Sequence, residues 1–140
     1  MFALTVDQKG SRRSPDAVDA AIQRLHAAED AGALKSVLPP ERTSGDEFQC
    51  LFAEADSTYS TLQILVRDGR WHVGVGVGTV ELPLPSSVRE SRGPALMYAR
   101  RAVDAARSAD PSIVLIGETA AAVEASGVLQ LMGALLGGSN

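Results

Sequence analysis

An α+β fold is what the sequence predicts, and three observations carry that prediction. Short alternating segments read as strands: Met1 to Val6 at the start, Glu47 to Ala55 in the middle and Trp71 to Val80 later. Between them, apolar residues recur three and four positions apart, as they do on one face of a helix. Glycine and proline then punctuate the joins at Gly32, Pro39-Pro40, Gly45, Gly69 and Gly93-Pro94. The resulting order is strand, helix, hairpin, helix, strand, followed by a further helix, strand and helix.

Length and composition narrow the classes. A chain of 140 residues suits one domain with a single core. Its net charge of −4 comes with no dominant basic face, which argues against direct nucleic-acid binding. The lone cysteine, Cys50, falls on the apolar side of a strand and reads as a small buried hydrophobe. Met1 to Val6 is too short for a signal peptide, and Asp7 follows at once. The most apolar tract, Val128 to Leu136, is interrupted by Gly133 and follows Glu124, so no membrane span is expected. The expectation is a cytoplasmic protein with one α+β domain over residues 1–118. Residues 119–140 are expected to form an apolar helical segment that makes a dimer seam or begins a further C-terminal region.

In the first strand Phe2, Leu4 and Val6 share one face, and Ala3, Thr5 and Asp7 the other. A polar turn follows, with positive charge on Lys9, Arg12 and Arg13. It is either a solvated loop or a loop that meets an anion beside Asp7. Ser14-Pro15-Asp16 has the cap, the first-turn proline and the acid of a helix start. Val18, Ile22, Leu25 and Ala28 form the buried stripe of that helix, and His26 lies next to it as a structural residue. Pro39-Pro40 cannot donate to a ladder, so the next segment is either an edge strand or a strand entered late. Thr43 to Gly45 turns, and the strand from Glu47 returns with Phe48, Cys50 and Phe52 on one face. Asp56-Ser57 caps a second helix carrying Tyr59, Leu62, Leu65 and Val66, and Gly69 stops it.

The strand after Trp71 alternates Val73, Val75 and Val77 with Gly74, Gly76 and Gly78. Three successive positions without side chains on one face mean a close approach to the backbone by a ligand, a returning segment or a partner subunit. His72 begins this glycine face and is expected to be exposed. Pro94 opens a third helix, Ala95 to Ser108, with a narrow stripe of Ala95, Ala99, Ala102 and Ala106. Arg92, Arg100, Arg101 and Arg107 place charge at its start and along its sides. Ser112 to Ile116 is a last strand.

The order up to the glycine strand is the ferredoxin-like βαββαβ arrangement, an antiparallel sheet in which the first and third strands are neighbours. Asp7 then meets Asp46 and Glu47 at one edge. Clustered carboxylates repel and raise a carboxyl pKa, and magnesium relieves this through oxygen ligands. Asp7, Asp46 and Glu47 are therefore candidate metal ligands. Alternation puts Asp7 and Glu47 on one face and leaves open which of Asp46 and Glu47 faces the metal.

Arg42-Thr43-Ser44-Gly45-Asp46-Glu47-Phe48 resembles the R-x-G-G-D-E-F signature of diguanylate cyclases, with Ser44 in place of the first glycine. Ala95-Leu96-Met97-Tyr98-Ala99-Arg100 is similar to that family's A-L-Y-x-A-K helix motif. The resemblance implies a nucleotidyl cyclase-like palm domain in which Asp7 and Asp46 hold a metal, Glu47 assists metal or base chemistry, and Arg100 meets a phosphate. A closer resemblance is to the bacterial SatD family. It is carried by Asp7, Gly45 to Gln49, Gly74 to Gly78, and Gly93-Pro94-Ala95 with Ala99-Arg100, and it covers roughly residues 1–110. Ser44 stands where a glycine admits substrate, and Asp104 stands where the cyclases carry a second basic residue. Cyclic di-GMP synthesis is therefore not expected.

The expected function is that of a SatD-type regulatory or sensing protein that binds a nucleotide with magnesium. Gly45, Lys9, Arg12, Arg92 and Arg100 would contact the phosphates. The alternatives are a ligand-free homodimerisation module using the glycine face, and a magnesium-dependent nucleotidyl transferase or cyclase.

Overall fold

The computed structural model describes residues 1–118, which form an α+β domain with a five-stranded mixed sheet and three helices. In chain order the elements are β1 (Phe2–Gln8), α1 (Val18–Asp30), β2 (Leu38–Ser44), β3 (Glu47–Phe52), α2 (Ala55–Asp68), β4 (Trp71–Val77), α3 (Pro94–Ala106) and β5 (Ile113–Gly117). The sheet order is β2-β3-β1-β4-β5. β1 runs antiparallel to both β3 and β4, and β5 is parallel to β4. The expected antiparallel pairing of the first and third strands is present, with Asp7 opposite Glu47. The expected C-terminal helix lies outside the described residues.

α1 and α2 pack on one face of the sheet. Their Val18, Leu25, Leu62 and Leu65 join Leu4, Val6, Phe48, Phe52, Trp71 and Val75 in the main core. The edges of Phe48 and Trp71 meet with ring centroids 5.6 Å apart. Cys50 is fully buried there, and burial pushes its thiol pKa far up, so it serves as a small hydrophobe. Pro39 and Pro40 lie in the edge strand β2, whose pairing with β3 slips between Leu38 and Glu41.

α3 covers the opposite face. A Cβ on Gly74 would overlap the backbone of Ala99 and Val103, and one on Gly76 would overlap that of Ala95 and Ala99. The glycine face is thus occupied by a returning segment of the same chain. Of the ligand, returning segment and partner subunit weighed for that face, the returning segment is the one found at Gly74 and Gly76. The alanine stripe of α3 is its complement: small side chains on the helix and none on the strand let the two backbones approach. α3 runs opposite to β4, with Ala95 N donating to Thr79 O at one end and Arg107 over Asp7 at the other.

Three local expectations also change. α2 begins at Ala55 after Glu54, so Asp56 and Ser57 lie in its first turn rather than capping it. α1 begins at Val18 rather than at Ser14-Pro15-Asp16. β1 extends to Gln8, whose buried amide donates to Pro15 O and accepts from Ala17 N, holding residues 15–17 outside the helix. Asp16 still caps from its own position by accepting from Val18 N.

Candidate functional site

The row of titratable groups is set by strand register. Glu47, Asp7 and His72 are cross-strand neighbours on β3, β1 and β4. All three point to the α3 side, because Asp7 alternates with Val6 and His72 with Trp71. Ser112, just before β5, extends the row through its hydroxyl, 2.6 Å from His72 Nδ1.

Each buried carboxylate in the row carries an arginine from α3. Glu47 is 5 % exposed and is gripped in bidentate fashion by Arg100, at 2.5 and 2.9 Å. The Thr43 hydroxyl donates to the same carboxylate. Glu47 in turn raises the Arg100 pKa further. Asp7 is 4 % exposed and accepts from Arg107. Burial nonetheless holds the Asp7 carboxyl above its usual range; the Arg107 pairing opposes this, and repulsion from Glu47 and Asp46 adds to it. Burial and the nearby Lys9 lower the pKa of His72. His72 is half-buried rather than exposed, because Ser112 anchors its ring.

The hairpin turn beside the row is Gly45-Asp46, flanked by the Ser44–Glu47 pair. Gly45 takes φ 30°, in the left-handed region that favours glycine. Arg42 donates to Gly45 O and also bridges to Asp16 and Asp19, tying the turn to the start of α1. Gln8 N donates to Asp46 O at 3.0 Å.

These elements border a cleft of about 470 Å³ lined by Asp7, Asp46, His72 and Arg107, together with Arg12 and Arg13 of the β1–α1 loop. Gln8, Ser11 and Asp46 also border an adjoining groove that Gly45 lines. Of the sequence-predicted residues, the fold brings Asp7, Asp46, Arg12 and Gly45 to this end of the sheet. Arg100 is near but holds Glu47. Lys9 lines a different, more apolar groove with Leu65, Trp71 and Pro111. Arg92 does not belong here: it precedes α3 at the opposite end of the sheet, where its carbonyl accepts from Glu81 N.

The three acids do not form one ligand set. Among the described residues, no group of three or more acidic, histidine or cysteine side chains is placed to hold a metal. Asp7 and Asp46 share the cleft, whereas Glu47 is turned to Arg100. The physical reason is the close seat of α3 on the glycines, which carries Arg100 and Arg107 onto the carboxylates that a cation would need.

Arg107 and Gln8, both contributors to this end of the sheet, were not among the residues expected at the site. Signals for both were present. Arg107 lies seven residues after Arg100, two turns along the same helix face. Gln8 falls in phase with Phe2, Leu4 and Val6. No family model matches the chain, and no curated protein or solved structure matches it.

Proposed function

We propose that this protein is a regulatory or sensing module of SatD type, built on a ferredoxin-like palm. It binds the phosphates of a nucleotide in the cleft between the β1–α1 loop and the C-terminal end of α3. One observation carries the reading: Arg12, Arg13 and Arg107 converge on a cleft whose buried carboxylate, Asp7, is already paired. Guanidinium groups suit phosphate oxygens because their donors match two acceptors at once. Glu47 is committed to Arg100, and among the described residues no cluster of three metal-ligating side chains accompanies the arginines; this supports binding without turnover as the function proposed. Magnesium enters as a companion of the bound phosphates, with Asp7 and Asp46 the carboxylates nearest to it.

The test is thermal unfolding with nucleoside mono-, di- and triphosphates, each with and without magnesium. A ligand at a hundred times its dissociation constant adds about 2.7 kcal/mol. The expected result is a shift with at least one nucleotide that disappears in the Arg12→Ala/Arg13→Ala variant, without release of pyrophosphate. A shift that survives the double variant would move the ligand elsewhere. Pyrophosphate release abolished by Asp46→Ala would make the protein an enzyme.

A further inference from the structure

His72 has a protonation pattern that its neighbours dictate. The Ser112 hydroxyl has one proton and two partners. It lies 2.5 Å from the Ala106 carbonyl, which only accepts, and 2.6 Å from His72 Nδ1. Two oxygens that close need the proton between them, so the hydroxyl donates to Ala106. It then has only a lone pair to offer the imidazole, and Nδ1 must carry the hydrogen. A neutral ring protonated at Nδ1 has its lone pair on Nε2. His72 lines the cleft, and among the described residues no side chain or backbone group is hydrogen-bonded to Nε2.

The rest of the cleft wall supplies a contrast. Arg12, Arg13 and Arg107 only donate, and Asp7 already accepts from Arg107. Inorganic triphosphate at neutral pH satisfies the arginines and has little to give Nε2. A nucleotide adds sugar hydroxyls, and a cleft of about 470 Å³ has room for sugar and phosphates together.

We propose that His72 is a specificity residue of the cleft: a hydrogen-bond acceptor, set in the Nδ1–H form by Ser112, that takes a hydroxyl of the ligand's sugar beside the phosphates. Ser112 is the positioning residue. The ligand class rests on the nucleotide reading above; the tautomer does not. The groups facing His72 are Asp7 from β1, Asp46 from the hairpin turn, Arg107 from α3 and Lys9 from the loop after β1.

The tautomer is tested without ligand, by nitrogen NMR of the two ring nitrogens of His72 above its titration. A protonated Nδ1 and a bare Nε2 are expected. Protonation at Nε2 instead would overturn the proposal. In Ser112→Ala the ring should relax toward the Nε2–H form. The ligand arm is calorimetry with each of the four ribonucleoside triphosphates, its 2′,3′-dideoxy counterpart and inorganic triphosphate. The wild type should bind a ribonucleotide about tenfold more tightly than the dideoxy form, the worth of one good hydrogen bond. His72→Asn retains an amide donor for Ser112 and lacks Nε2, so it should erase that preference, bringing the ribonucleotide and its dideoxy form to equal affinity. Equal affinity for both forms in the wild type would overturn the acceptor role. Absence of any nucleotide binding while Nδ1 stays protonated would overturn the nucleotide reading and the sugar contact together.

Discussion

On one face of the sheet Phe48, Phe52, Trp71 and Leu62 fill the space between strands and helices with large side chains. On the other, Gly74 and Gly76 meet the backbone of α3 through Ala95 and Ala99, with almost no side chain between them. The first face gains stability from apolar area and tolerates exchange of one hydrophobe for another of similar volume. The second is fixed by the distance between two backbones. That distance brings Arg100 and Arg107 within reach of Glu47 and Asp7. The close-packed face is therefore the one that carries the charged row.

One substitution in each face separates the two kinds of packing. Phe48→Ala should lose about 4 kcal/mol, because a fully buried ring leaves a cavity. Gly76→Val should cost about 3 kcal/mol or more, because the added carbons collide with the backbone of Ala95 and Ala99, which has no rotamer to change. Urea denaturation reads both. Loss of dimer with unchanged monomer stability in Gly76→Val would contradict the packing described here. Mild loss in Gly76→Val beside severe loss in Phe48→Ala would show that α3 can lift from the sheet.

A smaller effect separates the arginines from the packing. Arg100→Ala leaves the buried Glu47 with Thr43 as its remaining side-chain partner. Removing one member of a buried pair is costly, but Arg100 is itself 46 % exposed, so we expect about 1.5 kcal/mol. Glu47→Gln in that background should recover part of it. If Arg100→Ala is silent in denaturation, the pair is a surface decoration on a face held by glycine and alanine alone.

The smallest effects lie in the pH dependence, and their signs oppose. Asp7 has a raised folded-state pKa, so the native state holds its proton more tightly than the unfolded chain does. Its stabilising contribution is present below the ordinary aspartate value of about 3.9 and is lost as pH rises through the folded value. His72 has a lowered pKa, so its contribution is present above about 6.5 and is lost as pH falls through the folded value. Asp7→Asn should flatten the first slope and His72→Asn the second, each by a fraction of a kcal/mol, in denaturation series from pH 3 to 8. A variant that leaves its own slope unchanged would show that the group does not feel the environment described.

Strand and helix order was legible because alternation and the three-to-four spacing are local signals. Pro39-Pro40 left an edge strand or a strand entered late, and the sheet order shows the edge; the adjacency of Asp7 to Glu47 followed from the order of elements. The start of α1 was misread because Gln8, at the end of β1, supplies the hydrogen bonds that hold residues 15–17 out of the helix. Arg92 and Arg107 looked alike as helix-flanking charges. Only the direction in which α3 crosses β4 separates them, placing Arg107 on Asp7 and Arg92 at the far end.

Local patterning was enough for the elements, the face each apolar residue presents and the gathering of three acids at one end of the sheet. What those acids meet depends on packing. A helix seated on a glycine strand delivers arginines to Glu47 and Asp7, and a serine before the last strand sets the proton on His72. These contacts join residues 40 to 100 positions apart. No local pattern records them, because they depend on how closely two backbones pack.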